Sequence, residues 1–224
     1  MASAQRVLAL TDTTIGRKAG LAVSGVILFG FVIAHMAGNL ITFAGREAYN
    51  AYAAAAKSNA IVLWGARSVL FVALVVHVAL VIELYVKTLA ARPVGYRVKK
   101  NIATSYAASA MKYSGPALLL YILFHLAHFT YPGISLGAYE FSHTDVYGNF
   151  VGSFSVPWIA AVYVVANLLL GLHLYHGAFS MLQSVGFAHP RYDARLRGAS
   201  RGFAFLVTAG NVALPLSVLF GLIQ

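Results

Sequence analysis

Five long apolar stretches restrict this chain to one class of fold. They cover residues 19–43, 61–89, 111–131, 156–185 and 202–222. Each is longer than the roughly 20 residues of helix that cross about 30 Å of hydrocarbon. Because lipid offers the backbone no hydrogen-bond partner, a segment that crosses it in this way must be helical. The sequence therefore predicts an all-α integral membrane protein, a bundle of five transmembrane helices in a single domain over residues 1–224.

The composition agrees with this class and excludes several others. Charged residues make up only 10% of the chain, whereas a soluble domain has about 25%. There is no cysteine, which excludes disulfides, iron–sulfur clusters held by this chain and covalently attached haem. The net charge of +10 is not carried by a foldable soluble module, so we expect membrane lipid and no nucleic acid as a partner.

Lysine and arginine gather on one side of the predicted membrane. That side comprises the N-terminal arm and the loops after the second and fourth apolar segments. Its basic residues are Arg6, Arg17, Lys18, Lys87, Arg92, Arg97, Lys99, Lys100, Lys112, Arg191, Arg195, Arg197 and Arg201. The opposite side carries only Arg46, Lys57 and Arg67. Because cytoplasmic loops are enriched in lysine and arginine, we expect a multi-pass protein of the cell's inner (plasma) membrane with a cytoplasmic N-terminus.

The two loops on the opposite side differ in character. Residues 46–52 and the alanines that follow predict a short interfacial helix with tyrosines at headgroup depth. Residues 131–155 are rich in glycine, serine and aromatic side chains, and we interpret them as a loop.

Histidines inside the apolar segments are the main functional signal. Six of the 8 histidines lie there, namely His35, His77, His125, His128, His173 and His176. An ionisable side chain inside a membrane is costly, which makes each one a functional candidate. The first four segments each hold a central histidine, and two neutral imidazoles from opposite helices are suitable axial ligands for haem iron. Four such helices predict two b-type haems for electron transfer, whereas the loop residues His143 and His189 are expected to be solvated.

Helix direction predicts how these histidines pair. His35 and His125 lie about 25 and 20 Å from the cytoplasmic ends of their segments. His77 and His173 both lie about 18 Å from the cytoplasmic ends of theirs. The depths favour an outer pair, His35 with His125, and an inner pair, His77 with His173.

Alternative roles stay open for several residues. His128 and His176 follow their neighbours by one turn on nearly the same face, so either could be the ligand, or could bond a propionate or a quinone. A zinc site is disfavoured, because no carboxylate lies near the paired histidines. Small residues would let a porphyrin or another helix approach closely at Gly25, Gly30, Gly171 and Gly177. Further candidates for contacts around the haem ligands or for a quinone site are Arg17, Ser24 and Glu83. Glu83 could otherwise extend its carboxylate to the membrane surface or relay protons.

Short motifs around these residues run in order along nearly the whole chain. They read GRK at 16–18, SGV at 24–26, HMAGNL at 35–40, GREAYNAY at 45–52, ARP at 91–93, YSG at 113–115, FHLAHF at 124–129, PW at 157–158, GLHLYHG at 171–177 and QSVG at 183–186. Together they resemble the cytochrome b subunit of succinate dehydrogenase and fumarate reductase, of the single-subunit, five-helix, di-haem b558 type.

The resemblance implies a ligand set and a partner set. It makes His35, His77, His125 and His173 the axial ligands, paired between the first and third and between the second and fourth helices. It implies a membrane anchor of complex II, the succinate dehydrogenase of the tricarboxylic acid cycle and respiratory chain. A flavoprotein subunit with covalent FAD and an iron–sulfur subunit would dock on the cytoplasmic face and oxidise succinate. This chain would pass their electrons through both haems to a quinone, typically menaquinone.

Two other classes of membrane protein share some of these features. A di-haem cytochrome b subunit of another membrane oxidoreductase, such as a hydrogenase or a formate dehydrogenase, would also use membrane-buried pairs of histidines. A transporter would be expected to have broken helices and a polar midplane, which this sequence does not show.

Overall fold

The computed structural model describes residues 13–91, 94–95, 97, 105–130, 135–137, 139–187 and 189–224. Within those ranges the chain forms seven α-helices and no strand. They are α1 (Thr14–Leu40), α2 (Arg46–Lys57), α3 (Ala60–Ala90), α4 (Tyr106–Phe129), α5 (Val146–Phe154), α6 (Pro157–Ser184) and α7 (Asp193–Leu219), with a 3-10 turn, Ile41–Ala44, after α1. The all-helical prediction is confirmed for this part of the chain.

Local sequence signals explain where the helices begin. The side chains of four residues that precede a helix accept a hydrogen bond from a backbone N–H of its first turn, and these are Thr13, Asn59, Ser105 and Asp145. Pro157 occupies the first turn of α6, where its missing N–H costs no helical hydrogen bond. Gly45, with φ of 94°, separates the 3-10 turn from α2, because a left-handed backbone favours glycine.

Four helices are long and apolar enough to cross a membrane by length and composition. They are α1 with its 3-10 turn, α3, α6 and α7. Helix α4 holds most of the predicted third segment, but His125, His128, Lys112 and Pro116 lower its apolar content. Four apolar helices are thus compatible with a membrane protein, whereas the predicted total of five crossings, with α4 as one of them, remains a prediction.

The helix limits differ from the predicted segments at several points. Helix α4 begins at Tyr106 and α7 at Asp193. Both helices therefore start before the apolar segments predicted to begin at residues 111 and 202. The predicted loop 131–155 contains a helix, α5. The short helix predicted from residue 46 onward is confirmed as α2, and its interfacial position stays a prediction. Several residues named in the sequence analysis lie outside the described residues, namely Arg6, Arg92, Lys99, Lys100 and position 131, the end of the predicted third segment.

Helix α6 lies at the centre of the bundle and packs against α1, α4 and α7. A β-carbon at Gly171 would overlap the Thr208 hydroxyl of α7, and one at Gly210 would overlap the Met36 side chain of α1. Glycine at these two positions therefore allows close helix packing, and at Gly171 the closely approaching group is another helix.

One end of the helix bundle is covered by shorter segments of the same chain. Helices α2 and α5 and the C-terminal residues pack there over a cluster of buried side chains that includes Tyr49, Phe150, Phe154 and Tyr163. We call it the capped end. Burial in this cluster raises the pKa of Tyr49 to about 12. The opposite end, which carries Arg17, Lys87, Arg197 and Arg201, is called the basic end.

Asp145 joins the parts of the cap. Its carboxylate accepts hydrogen bonds from Asn50 and Arg46 of α2 and from the Gly148 N–H of α5. Asn50 in turn accepts a hydrogen bond from the Tyr147 backbone N–H. The hydrogen bond from Asn50, followed by those from Gly148 and Arg46, lowers the pKa of Asp145. The cap is thus stabilised by an ionised carboxylate.

Candidate functional site

The four central histidines come together as two pairs. His35 of α1 faces His125 of α4, with ring centroids 5.8 Å apart and an interplanar angle of 81°. His77 of α3 faces His173 of α6, with centroids 6.3 Å apart and an interplanar angle of 49°. These are the partners that helix direction favoured. We call them the capped-end pair, His35 and His125, and the basic-end pair, His77 and His173.

The two pairs lie at different depths. His35 and His125 are within about 8 Å of the helix ends at the capped end. His77 and His173 are about 25 Å from the starts of α3 and α6 at that same end. Helix α1 relates the two depths directly, because Gly25 lies beside His77 and ten helical residues, or about 15 Å, separate Gly25 from His35. The pairs are therefore separated by about 15 Å along the bundle axis.

The spacing within each pair fits a shared metal ion. Two imidazoles that bind one ion from opposite sides, at a metal–nitrogen distance of about 2 Å, place their ring centroids about 6 Å apart. Both observed separations, 5.8 and 6.3 Å, are close to that value. A pair supplies two ligands, which is the protein's share when a porphyrin supplies the other four.

The surroundings of the basic-end pair leave polar atoms and space for such a group. His173 Nδ1 is buried and has no hydrogen-bond partner among the described residues, and an unpaired buried polar atom indicates a missing partner. A β-carbon at Gly25 would lie 3.8 Å from Cε1 of His77. At Gly30 and Gly177 no described atom lies within 4 Å of a built β-carbon, and Gly30 is exposed, so neither glycine shows a close approach to another group.

Ser24 lies beside the basic-end pair. Its hydroxyl is 3.3 Å from His77 Nδ1 and donates to the Leu21 carbonyl at 3.0 Å. Since its proton goes to Leu21, Ser24 accepts from His77 Nδ1–H, and this leaves Nε2 of His77 as the ligand atom. Ser24, a candidate for a quinone site, is thus in contact with the ring of His77.

Aromatic rings surround the capped-end pair. Phe31 stacks on His35 and Tyr121 on His125, with centroids 5.1 and 5.8 Å apart. The Tyr163 hydroxyl is 3.3 Å from His125 Nδ1. Tyr163 was not recognised in the sequence, where the only signal was a tyrosine well inside an apolar segment.

His128 is fully buried and uses both ring nitrogens. Its Nδ1 is 2.8 Å from the Tyr163 hydroxyl, and its Nε2 is 3.1 Å from Ser153 Oγ and 3.4 Å from the Tyr139 hydroxyl. Neither nitrogen is left for a metal ion or a quinone. Of the two histidines in α4, the geometry therefore favours His125 as the ligand.

His176 lies one turn beyond His173, toward the basic end. It lines a small cavity with Ser105, Tyr175, Phe179 and Arg197. The Arg197 guanidinium lies 4.0 Å from the centroid of the Phe179 ring, which holds its charge at the edge of this cavity. His176 therefore remains a candidate for bonding a propionate or a quinone.

Glu83 is paired with two basic side chains at the basic end. Its carboxylate lies 2.9 Å from Arg17 Nε and 3.3 Å from Lys87 Nζ. The Glu83 side chain is 42% exposed. This position fits an acid at the edge of a bilayer better than a proton relay through the centre of the membrane. His143 and His189 are exposed, as predicted.

The described residues contain no group of three or more His, Cys, Asp or Glu side chains that could hold a metal ion. A structural zinc site normally needs four protein ligands, so the two pairs fit it poorly. The chain matches no protein-family model, no curated protein and no solved structure. The functional interpretation therefore depends on the geometry of the two histidine pairs.

Proposed function

We propose that this chain is the membrane anchor and cytochrome b subunit of succinate:quinone oxidoreductase, with two haem b groups. The observation that supports this most is the presence of two facing histidine pairs with centroids 5.8 and 6.3 Å apart. His35 and His125 would hold one iron, and His77 and His173 the other. Each haem would supply a one-electron carrier.

The protein's own residues would orient these carriers. The four histidines lie on four different helices, so the bundle holds the two pairs about 15 Å apart along its axis. His77, His125 and His173 are partly buried and His35 is exposed, and neutral imidazole is the form that would bind iron. This arrangement supports electron transfer between two fixed sites.

In this proposal α4 is a fifth crossing helix. Its 24 residues extend about 36 Å, which is sufficient to span the hydrocarbon. With a cytoplasmic N-terminus the basic end faces the cytoplasm and the capped end faces outward, because positive charge is retained inside. The pair His77 and His173 is then the inner one.

The partners would dock at the basic end. Arg17, Lys87, Arg197 and Arg201 lie there, beside the inner pair. A flavoprotein and an iron–sulfur subunit bound to this face would deliver electrons first to the pair His77 and His173. A membrane quinone, of the menaquinone type in the family that the sequence resembles, would accept them. Succinate oxidation itself would belong to the partners.

Purification of the intact complex tests this proposal. We expect a flavoprotein with covalent FAD and an iron–sulfur protein to accompany the chain, and succinate to reduce both haems. A complex whose haems are reduced by formate or hydrogen and not by succinate would instead identify the cytochrome b subunit of another oxidoreductase.

A further inference from the structure

A chain of hydrogen bonds connects the capped-end pair to the cap. It runs from His125 Nδ1 to the Tyr163 hydroxyl at 3.3 Å and on to His128 Nδ1 at 2.8 Å. From the other nitrogen of His128 it continues to Ser153 Oγ at 3.1 Å. It ends at the Asn149 carbonyl, 2.6 Å from Ser153 Oγ.

The donors in this chain all point the same way. Ser153 must give its only proton to the Asn149 carbonyl, because a carbonyl oxygen cannot donate. The contact between Ser153 and His128 therefore needs a proton on His128 Nε2, which makes His128 Nδ1 an acceptor. The acceptor at Nδ1 receives the hydroxyl proton of Tyr163, and the Tyr163 oxygen in turn accepts from His125 Nδ1–H.

The direction of the chain fixes the tautomer of His125. With the proton on Nδ1, the lone pair of Nε2 is available to a metal ion. Metal-binding histidines usually donate their second ring N–H to a fixed acceptor, which orients the ring and makes it a stronger ligand. In this chain the fixed acceptor is the buried hydroxyl of Tyr163, which is itself held by the buried His128.

We propose that Tyr163 is a positioning residue that sets the tautomer of His125 and, through it, the redox potential of the capped-end haem. This inference rests on the proposed haem ligation. A ligand whose N–H donates to an acceptor stabilises ferric iron relative to ferrous iron, so loss of the acceptor should raise the midpoint potential. His128, whose nitrogens are both engaged, serves to hold the Tyr163 hydroxyl in place.

Redox titration of the purified full chain tests the effect on the iron. In Tyr163→Phe, the midpoint potential of one of the two one-electron steps should become more positive by about 59 mV. For a one-electron step this shift equals a change of about tenfold in the ratio of ferrous to ferric iron. The matched control is Tyr121→Phe, which removes a hydroxyl from a ring stacked on the same His125 and should leave both steps in place. Equal shifts in the two variants, with both haems retained, would overturn the proposal.

The tautomer can be measured without haem. Long-range ¹H–¹⁵N spectra of the histidine rings, recorded on the full chain prepared without haem, should show His125 protonated at Nδ1 in the wild type. The Tyr163→Phe chain should lose that preference, whereas Tyr121→Phe should keep it. An Nε2-protonated His125 in the wild type, or an unchanged tautomer in Tyr163→Phe, would overturn the proposal even if the variant bound no haem. Failure of the haem ligation itself would instead appear as a wild-type chain that binds no haem.

Discussion

The two histidine pairs are built in different ways. The capped-end pair lies among aromatic rings, and its His125 is bonded through Tyr163 to a fully buried histidine. The basic-end pair has only the Ser24 hydroxyl beside His77, and the Nδ1 atom of His173 has no partner among the described residues. The protein's own hydrogen bonds hold His125 of the first pair, whereas Nδ1 of His173 in the second pair is buried and would need a partner from a bound group.

Removal of one ligand from each pair is the most severe way to break this comparison. His125→Ala should remove the capped-end haem and His173→Ala the basic-end haem, because each iron would lose one of its two axial bonds. Haem per chain should fall from about two to about one in each variant. Spectra of reduced minus oxidised protein identify which haem remains.

The two variants should also differ in whether the partner subunits can reduce the haem that remains. His173→Ala should stop the reduction of the remaining haem by succinate in the complex, whereas His125→Ala should leave the basic-end haem reducible. Loss of both haems from either single variant would show that the pairs are not independent sites.

Substitution of His128 and of His176, each one turn after a proposed ligand, should sharpen the contrast between the capped-end and basic-end pairs. His128→Leu leaves the Tyr163 hydroxyl and Ser153 without a buried partner, at a cost of about 1–3 kcal/mol for each unsatisfied group. The matched variant His176→Leu changes a half-buried residue one turn after a ligand and should cost less. Thermal unfolding measures both, and both chains should retain two haems. Loss of a haem in His128→Leu with two haems in His125→Ala would show that the wrong histidine of α4 was chosen.

The smallest effect concerns the cap itself. The pKa of Asp145 is lowered in the folded chain by the hydrogen bonds from Asn50, Gly148 and Arg46. A carboxylate with a lowered pKa stabilises the fold above its unfolded value of about 4, and this contribution is lost as the pH falls through the lower folded value. Asp145→Asn should therefore lower stability at pH 7 by up to about 1 kcal/mol and weaken the loss of stability on acidification.

Thermal melting at pH 7 and pH 3 measures this contribution. Glu140→Gln is the control, because it neutralises an exposed carboxyl in the same loop and should change neither value. An acid response in Asp145→Asn equal to that of the wild type would show that other carboxyl groups hold the cap.

The sequence predicted the long helices, and the histidine rings that it paired lie near each other, because both follow from long-range regularities. Apolar length identifies a helix in lipid, and helix direction converts the position of His35 or His173 into a depth. The extent of α4 was harder to predict, since Lys112 and Pro116 interrupt its apolar pattern near the N-terminal end.

The parts that were missed depend on contacts between distant segments. Helix α5 was interpreted as a loop because it is short and glycine-containing, and its buried side chains Phe150 and Phe154 pack onto residues far away in the chain. Tyr163 carried no motif, and its role depends on α4 placing His125 and His128 on either side of its hydroxyl. Only the assembled bundle brings those three groups together.

Haem content per polypeptide tests the central claim most directly. The purified full chain should be assayed by its pyridine haemochrome spectrum, with the protein quantified by amino-acid analysis. Two histidine pairs with centroids 5.8 and 6.3 Å apart predict about two protohaems per chain, since each iron takes two axial ligands. A ratio of about one, or a chain without haem, would contradict the two-haem account.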